Sequence, residues 1–189
     1  MIKRKTSLIL GSCALATTAI ACMVNLGGPS FPSPTIPVTT EAMGEFQSTL
    51  AAAVSAGSTS GEVQLSINES QLTSYLASQL QAQSQPILSN VQAYLQNNQI
   101  QLYGTVMKGY FEANAGAVLT AGVDDQGQLK IDLTSANFGP LPVPAGFLDA
   151  ITIAIKEAYT SALGPVATGF RLESINIANG TMTITGLIK

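Results

Sequence analysis

The hydrophobic period of the chain changes several times, and each change marks an element. Met43, Phe46, Leu50 and Val54 recur at three- and four-residue spacing, which predicts an amphipathic helix over 42–56, ended by the Gly57 to Gly61 stretch. Val63, Leu65 and Ile67 alternate with Glu62, Gln64 and Ser66, as in a half-buried strand. Asn68 and Gln71 then have the spacing of a capping box, and Glu69 sits where the helix dipole favours a negative charge. Leu72, Tyr75, Leu76 and Leu80 line one face of the helix that follows, which runs to about Gln83 before the loop at Pro86.

From Leu88 to Phe138 the period is two. Val91, Ala93 and Leu95 lead into Asn97-Asn98, residues that tolerate the positive φ of a tight turn, and Ile100, Leu102, Gly104 and Val106 return. Tyr110 to Asp124 read as one long strand, roughly 50 Å at about 3.3 Å per residue, which implies an elongated or strongly curved sheet. Phe111, Ala113, Ala115, Ala117, Leu119, Ala121 and Val123 share one face of it. So little side-chain bulk leaves either a helix packed close against the sheet or an open groove. Asp125-Gln126-Gly127 turns the chain into Leu129, Ile131 and Leu133.

Pro144 suits a helix start, and Phe147, Leu148, Ile151, Ala154, Ile155, Ala158, Tyr159, Ala162 and Leu163 give that helix a broad apolar face. Asp149, Thr152, Lys156 and Thr160 form its narrow polar stripe, and Gly164-Pro165 stops it. A hairpin around Asn179-Gly180 closes the chain, with Met182, Ile184 and Ile188 inward and a bulge expected near Glu173-Ser174. These elements predict a single α+β domain over 41–189: a curved antiparallel sheet of about seven strands packed on two or three helices.

The N-terminus has a different pattern. Lys3, Arg4 and Lys5 precede an uncharged run from Ser7 to Ala21, the basic and apolar regions of an export signal. Residues 1–21 are therefore expected to be an export or lipoprotein leader or an uncleaved membrane anchor, with the rest of the chain translocated. Ala19-Ile20-Ala21-Cys22 resembles a bacterial lipobox with Ala19 at a position where Leu, Val or Ile is usual, which makes Cys22 the candidate lipidation site. Simple cleavage after Ala21 is the other reading of the same residues. Pro29, Pro32, Pro34 and Pro37, spaced by Ser and Thr, predict an extended, solvated tether over 22–40.

Composition narrows the chemistry. The chain has no His and two Cys, so it holds no Ser-His-Asp or Cys-His pair, no imidazole-ligated metal and no Cys-only zinc site. Three of the eight basic residues lie in the leader, and the remaining five stand against eleven acidic ones, leaving −6. That balance excludes nucleic acid as a partner and electrostatic attachment to an anionic membrane. No phosphate loop, dinucleotide fingerprint or nucleophile elbow is present, so no catalytic residue, metal or cofactor is predicted and an enzyme is not expected. Asp124, Asp125 and Asp132 are read as a solvated hairpin turn in preference to a calcium site.

Val63 to Leu76, the hairpin stretch through Ile100 to Val106, and Phe138-Gly-Pro-Leu-Pro-Val-Pro144 together resemble the exported, membrane-anchored YpmS-like and LmeA-like proteins of bacteria. The resemblance spans roughly residues 60–189. It implies lipid binding by a curved sheet wrapped on a helix, akin to the tubular lipid-binding proteins, and transfers no individual functional residue. The reading that follows is a non-enzymatic cell-envelope protein, exported and membrane-anchored, that binds a lipid or other apolar ligand between sheet and helices. Leu72, Tyr75, Leu76, Phe147, Ile151, Ile155 and Tyr159 are the candidate lining, and each also reads as plain core. The alternative is a structural or protein-interaction module of the cell surface without a ligand cavity, and a hydrolase built on converging carboxylates ranks last.

Overall fold

The computed structural model describes residues 24–82, 88–108, 110–163 and 170–188. The leader, Cys22, the loop at Pro86 and the Gly164-Pro165 stop lie outside them. The expected α+β architecture is present among the described residues, with seven antiparallel strands and three helices, but the strands divide into two sheets. Glu62–Asn68 (β2), Phe170–Ala178 (β7) and Thr181–Ile188 (β8) form the smaller, in the order β2-β8-β7. The larger contains Ser89–Gln96 (β3), Gln99–Lys108 (β4), Phe111–Val123 (β5) and Leu129–Asn137 (β6). A short first strand, Val24–Asn25 (β1), adds to β5 in parallel.

β5 organises the larger sheet. One edge pairs with β4 from Phe111 to Leu119, and the other is shared between β1 at Phe111 and Glu112 and β6 from Gly116 onward. The turns at the far ends of both hairpins close the free edge of β7: Asn98 N donates to Ile177 O (3.0 Å), and Leu172 N donates to Gly127 O (3.0 Å). An unpaired strand edge is thereby blunted. The expected bulge is present as a register shift between Leu172 and Ser174. Asn97, Asn98, Asn179 and Gly180 all have positive φ, as their turns require.

The first helix, Thr40–Ser60 (α1), starts at the Thr39 cap and continues through the residues expected to end it. Gly57 is buried against β2, where an added Cβ would fall onto Val63 Cγ2, so this glycine serves close helix-to-strand approach; the left-handed stop is Gly61. The second helix, Glu69–Gln81 (α2), opens with the predicted capping box: Gln71 N donates to Asn68 Oδ1 (2.9 Å) and Asn68 N to Gln71 Oε1 (3.0 Å). The third, Phe147–Leu163 (α3), starts after Pro144. Among the described residues no helix is long and apolar enough to cross a membrane.

α2 also replaces a strand at the edge of β3. Leu95 N donates to Glu69 Oε1 (2.8 Å), Ala93 N donates to Thr73 Oγ1 (3.0 Å), and the Thr73 hydroxyl donates to Ala93 O (3.4 Å). The fit is geometric: four helical residues advance about 6 Å and two strand residues about 6.6 Å, so the i, i+4 pair meets successive outward positions of β3.

The stretch expected to be a solvated tether is docked. Residues 24–39 run along β5 and across the outer face of β4 and β3, where Phe31 packs on Tyr103 (6.4 Å between ring centres). Tyr94 OH donates toward Pro34 O (3.1 Å), Ile36 N donates to Gln92 Oε1 (2.6 Å) and Gln92 Nε2 donates to Ile36 O (3.0 Å). Proline-rich chain has few backbone donors of its own, and side-chain amides and phenols of the sheet supply the partners.

Candidate functional site

Three helices converge over the smaller sheet. The floor is two cross-strand pairs, Leu65 opposite Ile184 and Ile67 opposite Met182. α1 contributes Phe46 and Leu50 from successive turns, α2 contributes Leu72 and Tyr75, and α3 contributes Ile155. The Phe46 and Tyr75 rings lie 4.7 Å apart between centres, and Tyr75 OH donates to Ala154 O (3.2 Å), tying α2 to α3. Between these side chains is an apolar crevice of about 20 Å³. That is room for one water molecule, against about 300–1,000 Å³ in ordinary ligand pockets.

Of the seven candidate residues, Leu72, Tyr75 and Ile155 line this crevice. Leu76, Phe147 and Ile151 are buried but serve the surrounding core instead, Phe147 meeting Phe138 edge-on at 5.1 Å. The side chain of Tyr159 lies outside the described residues. Phe46, Leu50, Leu65, Ile67, Met182 and Ile184 complete the lining, and their periodic patterns marked them only as inward-facing. What joins them is the pairing of β2 with β8, which no local pattern reveals.

The site is chemically quiet. Burial pushes the Tyr75 phenol above its ordinary value of 10.0, the charge of Glu157 adds to this and the hydrogen bond with Gln79 opposes it. The group is a neutral donor near neutral pH, not a nucleophile. Among the described residues no buried side-chain nitrogen or oxygen lacks a partner. The acidic cluster is used locally: Asp124 Oδ1 accepts from Gln126 N (2.9 Å) and Gln128 N (2.8 Å), while Asp132 pairs with Lys130 (3.1 Å), both exposed. The alanine row of β5 is not an open groove, because Ala113, Ala115, Ala117 and Ala121 are all buried.

Residues 37–186 match the family described as LmeA-like phospholipid-binding. The chain belongs to that family. The match takes in all three helices and all of the strands except β1 and the last two residues of β8, and so includes every described residue lining the crevice. No curated protein matches the chain.

Proposed function

We propose that this LmeA-like protein is a non-enzymatic phospholipid-binding protein of the cell envelope, exported and held at the membrane by its N-terminal segment through a lipidated Cys22 or an uncleaved helix. Family membership over 37–186 carries the reading. The crevice is the proposed place for acyl chains because it is apolar, its described polar neighbours are satisfied internally, and helices from three parts of the chain meet there. At about 20 Å³ it must widen to admit a chain. α1 and α3 are the elements to move, since α1 rests on the smaller sheet and α2, and α3 on α1, α2 and β6, through side-chain packing without sharing a strand ladder.

The small volume is also what a structural module without a ligand would show, and one experiment separates the two. Full-length protein purified from its host is extracted and analysed by mass spectrometry, and the same preparation is titrated with a fluorescent phospholipid. Stoichiometric phospholipid in the extract, reduced in an Ile155→Trp variant that fills the crevice, is the expected result. An extract free of lipid, together with no uptake of the fluorescent phospholipid, would leave the structural module as the function.

A further inference from the structure

The turn between β4 and β5 ends in an exposed apolar tip. Met107, Tyr110 and Phe111 are 53, 78 and 48% exposed, whereas the other large apolar side chains exposed among the described residues, Val38, Val143 and Ile153, are scattered along the chain. Single exposed apolar residues are ordinary, but three fall within five residues of one hairpin end, where the register pairs Met107 with Glu112 and Lys108 with Phe111, so that Met107 and Phe111 leave the end from opposite faces of the sheet. The opposite end of the same sheet is unlike it, being closed on β7 by backbone hydrogen bonds from the turns at Asn98 and Gly127.

The course of the N-terminal segment says what covers the tip. β1 is parallel to β5, with Val24 opposite Phe111 and Asn25 opposite Glu112. β5 starts at the tip and runs away from it, so the chain preceding Val24 leaves from the tip end. No slack follows: Leu26 N donates to Glu112 O (2.7 Å), Asn114 N donates to Gly27 O (2.8 Å), and Gly28 lies so close that a Cβ there would overlap Asn114 O. The uncharged run Ser7 to Ala21 and Cys22 precede directly. One residue, Met23, separates Cys22 from Val24, so the two lie at most about 7 Å apart along extended chain.

We propose that Met107, Tyr110 and Phe111 enter the head-group layer of the membrane to which the N-terminal segment is attached, standing the larger sheet on the bilayer with its β7 end outward. The proposal shares with the proposed function only the N-terminal attachment and needs no lipid in the crevice. Aromatic side chains with a polar tip favour the membrane interface, and Tyr110 is one. The tip carries one basic and one acidic residue, Lys108 and Glu112, and the chain is acidic overall, so no basic cluster draws it to an anionic surface and the contact rests on the apolar side chains. Three side chains are too few for a stable protein interface of about 1,000 Å² or more, yet sufficient for a contact already concentrated by an adjoining anchor.

The chain has no Trp, so a single introduced Trp reports its own surroundings. Full-length Tyr110→Trp, Met107→Trp and Gln126→Trp, the last in the turn at the far end of β5, are reconstituted in phosphatidylcholine vesicles carrying brominated acyl chains. Blue-shifted emission and several-fold stronger bromine quenching at positions 110 and 107 than at 126 are expected. Equal quenching at all three positions would show the domain lying flat, and absence of quenching at both 107 and 110 would show the tip standing clear; either overturns the proposal. So would shielding of position 110 from a soluble quencher that grows with protein concentration without vesicles, which is the signature of a second copy on the tip. Unchanged lipid extraction in these variants separates failure here from failure of the crevice reading.

Discussion

The two faces of the β3–β4 hairpin are both covered, by unlike means. The inner face carries Val91, Ala93, Leu95, Ile100 and Leu102, all fully buried in the main apolar core, and contact there is non-directional burial. The outer face carries Gln92, Tyr94 and Tyr103, covered by residues 29–37 through discrete hydrogen bonds and ring contacts. One cover is integral to the fold, while the other is a strap whose partners can be removed one at a time. Burial alone therefore does not identify core: Gln92 and Tyr94 are about as buried as several core residues, but the strap is what buries them.

The comparison predicts global effects on one side and local effects on the other. The largest follows from Leu76→Ala, which empties a fully buried core position and is expected to destabilise the whole domain by about 2–5 kcal/mol, read as a lower urea midpoint with unchanged slope. Thr73→Val leaves Ala93 N and O at the edge of β3 without their partner, for about 1–3 kcal/mol. A midpoint within error of wild type would show that water replaces the hydroxyl there. Gln92→Ala removes the pair of bonds to Ile36, each worth about 0.5–1.5 kcal/mol. It is expected to speed hydrogen exchange at Ile36 and proteolysis within residues 29–38 while the urea midpoint of the body moves less than for Leu76→Ala. A loss of stability matching Leu76→Ala would break the comparison by making the strap part of the core.

The smallest effect is at alkaline pH. Burial and the Glu157 charge raise the folded pKa of Tyr75 above 10.0, so the folded state holds the phenolic proton more tightly than the unfolded chain. Its stabilising contribution is present in full below about pH 10 and is lost as pH rises through the folded value. Tyr75→Phe should flatten that part of the stability profile. Tyr94, raised by burial, Glu69 and Tyr103, supplies a second and separate part, so Tyr75→Phe leaves a residual slope.

Element by element, the inner face was legible in the sequence. The capping box at Asn68, the strand pattern of Val63 to Ile67, the long β5 and the bulge beside Glu173 all depend on neighbours within a few residues, and they stand where their patterns put them. The end of α1 was misplaced because Gly57 looks identical in sequence whether it ends a helix or lets a strand approach. The strap escaped because a proline-rich stretch has no period to match against the sheet, and its bonds to Gln92 and Tyr94 join distant parts of the chain. The residues lining the crevice were visible as inward-facing positions. Its membership was not, since Leu76 and Leu72 share a helix face and only the placement of that helix decides which of them meets the crevice.

Local periodicity, caps and turn residues thus determined the helices and the strands, because those properties depend on interactions within one or two turns. The tertiary structure alone decided that the strands form two sheets, that the crevice between helices and small sheet closes to about 20 Å³, and that the N-terminal segment is bound to the sheet beside an apolar tip. Each of these depends on contacts between residues far apart in sequence, whose entropic cost of closure is met by many side chains together and is therefore not carried by any single motif.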